Sequence, residues 1–546
     1  MKSGITKNLF LLVLMLTADF AYGQSGQSGF SYFIYTLVGV AILILLFLVI
    51  QVADNLLAVE AKHSGADKAK ANFSIFPSFK ELFAPKAPAY ANDAPIHALK
   101  QGHDILLEGA PESASISAGT SVTTFAIQPP NFTGLSPIPK LLVEVGDEVK
   151  AGDPIFFDKK VPEVKFVSPV SGEVIAVTRG EKRSIAEVVI LADKEQKYRS
   201  LPAFDLAKGS VEELRAYLLE NGAWSLFQQR PFNVIPAPGD VPRDVFVSTF
   251  DTAPLAPDAN LVVAGREAAF QKGLDVLGQL TTGDVHLGLN AKGEESPSSA
   301  FTAAEGVQKH WFHGKHPAGN VGIQIHHIKP IGGLDKVWTL GVQEVIALGG
   351  MFLEGKYDGS RVVTVVGAEL SEPKYIRTYV GAKIEDLLKD QTVSENVRYI
   401  SGDVLSGQQK SVGQFLNYYD DQLSVIAEGD YYELFGWLLP IAPRPTISGT
   451  FPNFLYPDAK FQADTNTHGE KRAFVVTGQY EKVLPMDLYP QHLMKAILVN
   501  DFERMEGLGI YELAEEDVAL CEFVCTSKQP LQEILKEGLE TMREQS

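Results

Sequence analysis

The chain has 546 residues, 45% hydrophobic and 21% charged, the composition of a folded protein of several domains. Its formal net charge of −19, with no Lys/Arg stripe interleaved with aromatics, excludes a nucleic-acid surface, because phosphate contacts need concentrated positive charge. Two cysteines, Cys521 and Cys525, are too few for the usual four ligands of an iron–sulfur cluster or a structural zinc site. Their spacing and apolar neighbours suit small core side chains on one helix face.

Lys2 and Lys7 precede an apolar stretch at 9–16 and then small residues, so 1–23 reads as a signal-like segment. After a polar spacer, the apolar run at 30–52 is long enough to cross a bilayer as one transmembrane helix, with Tyr32 and Tyr35 at its first edge. Lys62, Lys68, Lys70, Lys80 and Lys86 all follow that run, and the spacer before it has no Lys or Arg. The positive-inside rule then puts the remaining chain on the cytoplasmic side. Residues 53–95, rich in Ala, Lys and Pro, read as a linker.

Residues 96–195 form the first globular unit. LLVEVGDEVKAGDPIFFDKK at 141–160 and VKFVSPVSGEVIAVTRGEKR at 164–183 alternate apolar and polar residues between tight turns. Gly146 and Gly152 stand where such turns need positive φ. The pattern resembles the barrel-sandwich hybrid fold of lipoyl and biotinyl carrier domains. A carrier presents one lysine at a fixed distance before the Ser-Pro turn. Here Lys159 and Lys160 are displaced by a residue or two and Pro162 stiffens the hairpin, so the fold is expected without the swinging arm. Strands near 113–128 are expected to join this unit.

From 211 to 357 helices and strands alternate: a helix at 211–222, a strand at 244–249, a strand or short helix end at 261–264, a helix at 267–280, a strand at 285–289, and a helix or strand at 342–349. This rhythm predicts a Rossmann-like α/β domain around a largely parallel sheet. No Gly-x-Gly-x-x-Gly follows a strand, so the turn that cradles a dinucleotide phosphate is missing. Five of the 11 histidines fall between His310 and His327. They have no acidic partner at ligand spacing and Pro317 interrupts any helix that would align them, so 310–320 is read as a loop lining a cleft or an interface and not as a metal site.

Residues 360–410 order as two strands, a helix and a strand, a small ubiquitin-like β-grasp of the kind that binds neighbours. Residues 411–546 are a mixed region, with Pro residues between 440 and 457 and helices from about 490 to the end.

Five stretches in chain order make a specific resemblance: KFVSPVSGEV with RGEKR, HPAGNVGIQIHHIKP, WTLGVQEVIALGGMF, ISGDVLSG and EEDVALCEFVC. From about residue 96 to its end the chain resembles the A subunit family of the sodium-translocating NADH:quinone oxidoreductase (NQR). The resemblance implies an α/β multidomain protein with barrel-sandwich, Rossmann-like and SLBB-type β-grasp domains. It implies a subunit of a respiratory complex in the inner membrane of a bacterium, coupling NADH oxidation and reduction of ubiquinone or menaquinone to Na⁺ export. It also implies that the other subunits of the complex are its partners and carry the flavins, the iron–sulfur centre and the NADH site. No catalytic, metal-binding or cofactor-binding residue is then expected in this chain. The family's A subunit is connected with quinone, and a quinone carbonyl needs a hydrogen-bond donor beside an apolar slot, which His316, His326 or His327 would supply. The family's usual subunit is peripheral, so the apolar run at 30–52 is a departure, read as an extra anchor. Two other readings compete: a flavoprotein that oxidises NADH by itself, against which the missing Gly-rich loop argues, and a lipoate or biotin carrier using Lys159 or Lys160.

Overall fold

The computed structural model describes residues 88–546 apart from 92, 120, 390, 392, 436–443, 449–451 and 546. Before residue 88 it describes only positions 38, 39, 41, 42, 45, 49 and 53, all of them helical. The chain divides into two units, 1–86 and 87–546. The signal-like segment and most of the expected transmembrane helix at 30–52 and of the linker lie outside the described residues. Among the described residues no helix is long and apolar enough to cross a membrane.

The second unit is built on three architectures. The first is a six-stranded sheet in the order Ile96–Ala98, Gln308–His313, Val285–Asn290, Asp244–Ser248, Val337–Leu340 and Gln228–Arg230. Every pairing is parallel except the last, where Gln228–Arg230 runs against Val337–Leu340. Alternation explains its two faces. Val245, Val247, Val285, Leu287 and Leu289 belong to the large apolar core shared with the helices Glu267–Leu280 and Val342–Glu354. Those helices meet at Gly273 and Gly349, where a Cβ on Gly349 would run into the Ala269 carbonyl, so close approach requires glycine. Phe246 and His286 face the other side, with the short helix Val321–Ile328 supplying Ile325 to the core there.

Helices expected at 211–222 and 267–280 appear as Val211–Glu220 and Glu267–Leu280, the former closed by a Ser210/Glu213 capping box. Residues 261–263 fall in a helix, Ala259–Val263, capped by Ala264, and 342–349 in the helix Val342–Glu354. Part of the histidine-rich window is not a loop. Gln308–His313 is a strand, because Trp311 and Phe312 are both fully buried between neighbouring strands and the layers above and below.

The second architecture is the barrel-sandwich pair of sheets, Thr124–Ile127/Ile185–Ala192/Gly172–Arg179/Glu148–Val149 and Lys140–Leu141/Pro154–Phe157/Lys165–Val167. Gly146 and Gly152 hold φ of 98° and 89°, as the turns demand. Lys159 and Lys160 are exposed at the hairpin, whose turn is held by Asp158 accepting from the backbone N–H of Lys160 at 2.9 Å. The third is the β-grasp sheet, in the order Gln408–Lys410, Val397–Ser401, Gln422–Ala427, Ser360–Val366, Lys374–Tyr379 and Ile116–Ala118.

Three strands serve a different unit from the one their sequence position suggests. Ile96–Ala98 pairs in parallel with Gln308–His313 of the α/β sheet, and Ile116–Ala118 with Lys374–Tyr379 of the β-grasp. Gln422–Ala427, beyond residue 410, is a central strand of the β-grasp. Its buried Gln422 and Ser424, hydrogen-bonded to each other at 2.8 Å, interrupt the apolar pattern that marks a core strand. The C-terminal helices Pro490–Leu498, Phe502–Gly507, Glu515–Phe523 and Leu531–Gln545 pack around a second core that includes Cys521 and Cys525 as buried free thiols.

Candidate functional site

In an open parallel sheet, ligands bind outside the carboxyl ends of the strands, where successive connections leave in opposite directions. Here the chain moves from Asp244–Ser248 outward to Val285–Asn290 and Gln308–His313, then returns to Val337–Leu340 on the other side of the first strand. A cavity of about 530 Å³ opens at this point, lined by Ser248 and Asp251 after one strand and by Gly341 and Glu344 after the other. The barrel-sandwich unit contributes Asn131, the β-grasp Asp403 and Asp421, and the C-terminal helices Glu516.

The cavity is lined heavily with carboxylates, and two buried arginines answer them. Arg361 pairs with Glu344 and, at 2.9 Å, with Asp421. Arg230 pairs with Glu516 at 2.9 Å and with Asp517 at 3.5 Å. Each guanidinium thus faces two acids and neutralises the charge of one. Desolvation within the crevice pushes Asp421 up to about 7, with Arg361 opposing. Glu344 sits in the first turn of Val342–Glu354 and folds back over Gly341, covering the helix N-terminus. The positive end of that helix, which in a nucleotide-binding fold meets phosphate, is met by the protein's own carboxylate.

Of the three histidines singled out from the sequence, His316 alone lines this cavity. It is 3% exposed, and burial holds it below the ordinary imidazole range, so it is neutral near pH 7. The Thr252 hydroxyl accepts from the backbone N–H of Gly319 at 3.0 Å and lies 3.1 Å from His316 Nδ1. Donating that hydroxyl proton to Nδ1 leaves the imidazole proton on Nε2, which has no partner among the described residues. His326 and His327 stand apart from the cavity, at the end of Val321–Ile328. His326 is engaged at both nitrogens, Nδ1 with Glu512 at 2.7 Å and Nε2 accepting from the backbone N–H of Asp487 at 3.1 Å. His327 Nε2 donates to the Pro485 carbonyl at 2.7 Å. These two rings tie the α/β domain to the C-terminal region.

A second cluster escaped the sequence reading. His97, His310 and His286 form a row across three adjacent strands, with N···N separations of 3.4 and 3.1 Å, ending at Asp244. Burial, with repulsion from His327, pushes His97 down to about 4, and burial, with repulsion from His286 and His97, does the same to His310. The only sequence signal was a His in each of three strands, at positions that share a face once the strand order is known.

Known proteins match this arrangement domain by domain. The family model of the NqrA N-terminal barrel-sandwich hybrid domain matches residues 97–193, that of the NqrA second alpha/beta domain 210–357, and that of the NQRA C-terminal domain 362–411. The A subunit of the Na(+)-translocating NADH-quinone reductase of Alcanivorax borkumensis is 39% identical over 448 residues, 81% of this chain and 98% of that protein. Its counterpart in Vibrio atlanticus is 38% identical over 82% of this chain and 99% of its own length, and that of Rhodopirellula baltica 38% identical over 81% and 97%. With all three domains matched in order and nearly the whole length of these relatives covered, the chain belongs to the NqrA family, the A subunits of the Na⁺-translocating NADH:quinone reductases.

Proposed function

We propose that this chain is a subunit, without a redox centre of its own, of a bacterial membrane complex that couples NADH oxidation and quinone reduction to Na⁺ export. Its globular domains face the cytoplasm and the apolar run at 30–52 anchors it as a transmembrane helix. The observation that carries the reading is family membership across three domains, joined to the chemistry of the switch-point cavity. A flavin or dinucleotide phosphate entering there meets Glu344 over the helix N-terminus and further carboxylates around it, an arrangement that repels anions. Flavin, iron and NADH chemistry then belong to partner subunits.

Quinone contact is proposed for His316, whose Nε2–H lies in the cavity wall without an acceptor. His326 and His327, expected from the sequence to share that role, are proposed instead to hold the C-terminal region, because the hydrogen bonds of both rings support that use.

The test is a mild-detergent pull-down of the tagged chain from its own membranes, assayed for Na⁺-stimulated NADH:quinone reduction. Activity with several co-purifying subunits is expected. A chain that purifies alone from membranes holding the activity contradicts the assignment. Removing residues 1–53 is expected to let alkaline carbonate strip the isolated chain from membranes, whereas the full chain resists.

A further inference from the structure

We propose that His286, Asp244 and Asp284 form a binding site for a divalent cation of the Zn²⁺ class at the amino-terminal rim of the α/β sheet. One ligand atom from each of the three lies within 4.8 Å of the others. Borderline ions of this class combine imidazole nitrogen with carboxylate oxygen at about 2.0–2.2 Å, so the three groups need to close by about an ångström.

The decisive observation is the imidazole. His286 is 7% exposed, its Nε2 has no hydrogen-bond partner among the described residues, and that atom stands 3.6 Å from Asp244 Oδ1. A separation of 3.6 Å is too long for a hydrogen bond, and a buried ring nitrogen left without one is uncommon. The other nitrogen explains why this one points at carboxylates. His286 Nδ1 is 3.1 Å from His310 Nε2, and His310 Nδ1 is 3.4 Å from His97 Nε2. When each Nδ1–H donates to the next ring, His286 Nε2 offers a lone pair toward the carboxylates, and the row then acts as an outer shell acts around a metal ligand. Phe246 stacks on His286 with ring centroids 4.6 Å apart, and Phe312 on His97 at 4.7 Å, which holds the ring planes.

A cation already serves Asp244. Lys329 Nζ lies 3.0 and 2.7 Å from its two oxygens, and Arg243 Nε 2.7 Å from Oδ2. The Lys329 side chain is half exposed and free to turn to solvent, so an ion on Oδ1 displaces the ammonium while Arg243 stays on Oδ2. Lysine and metal therefore compete, which gives the proposal a sign that a merely structural cluster lacks. Asp284 is exposed and contributes little to packing, so replacing it leaves the fold intact. The inference does not depend on the pump assignment, since its test needs this chain alone.

The experiment is a calorimetric titration of Zn²⁺ into the full chain in detergent, with Mg²⁺ as the hard-cation control. The expected result is one Zn²⁺ per chain at this site and no matching Mg²⁺ event. Binding should weaken at least tenfold in Asp284→Asn and His286→Ala, weaken about 10–100-fold in His310→Leu, and tighten severalfold in Lys329→Gln. Zn²⁺ binding unchanged by Asp284→Asn and His286→Ala, or loosened by Lys329→Gln, overturns the site.

Discussion

At the carboxyl end of the parallel sheet, acids and arginines are already paired with one another; at the amino end, three imidazoles and an aspartate lie in a row with one buried nitrogen, His286 Nε2, left over. The first place is where this class of fold ordinarily receives its ligand. Here Glu344 lies over the helix N-terminus, and Arg361 and Arg230 each hold two carboxylates contributed by different parts of the chain. A fold therefore predicts where a site can form, while the side chains decide whether it does.

The largest effects are expected at the arginines. Arg230→Met leaves Asp517, fully buried, and Glu516 without their cation, and should cost about 3–5 kcal/mol, seen as loss of soluble, assembled protein or a lowered denaturation midpoint. Arg361→Met should do the same at the opposite wall. A mild effect from both would mean that the carboxylates hold their own protons and need no cation.

Histidines sharpen the contrast next. His326→Phe removes bonds to Glu512 and Asp487 and should destabilise by about 1–2 kcal/mol, while quinone affinity of the assembled complex stays unchanged. His316→Phe should instead weaken quinone affinity. Equal effects on quinone from both would remove the distinction between them.

Asp421 gives the pH dependence. Its folded pKa, about 7, lies above the ordinary carboxylate value, so the folded chain binds the extra proton between pH 4 and 7. Stability from this group is present at low pH and declines as pH rises through 7. Asp421→Asn should flatten the fall in melting temperature between pH 4 and 7; an unchanged slope assigns it to other groups. The smallest effect lies outside both regions: Lys159→Ala and Lys160→Ala should change stability by less than about 0.5 kcal/mol, and the intact mass should show neither lysine modified.

Local pattern carried much of this architecture. The glycines of the 141–160 hairpin, the apolar faces of 211–220 and 267–280, and the first strands of the β-grasp were legible because each obeys its own period. What was not legible is non-local. Ile96–Ala98 and Ile116–Ala118 are three residues each, too short to show a period, and they owe their place to partners more than 200 residues away. The histidine row exists only because the order of strands brings His97, His310 and His286 side by side. Three histidines of one window also part company: His316 lines the cavity, whereas His326 and His327 lie on a helix whose end turns toward Pro485 and Glu512.

The proposed absence of a flavin from this chain follows from Glu344 and the other carboxylates that line the crevice. The most direct test is the flavin content of this chain purified natively on its own and acid-extracted, with the intact, active complex extracted alongside. The account predicts that all flavin stays with the other subunits and that this chain is colourless. One flavin per copy of this chain would contradict it.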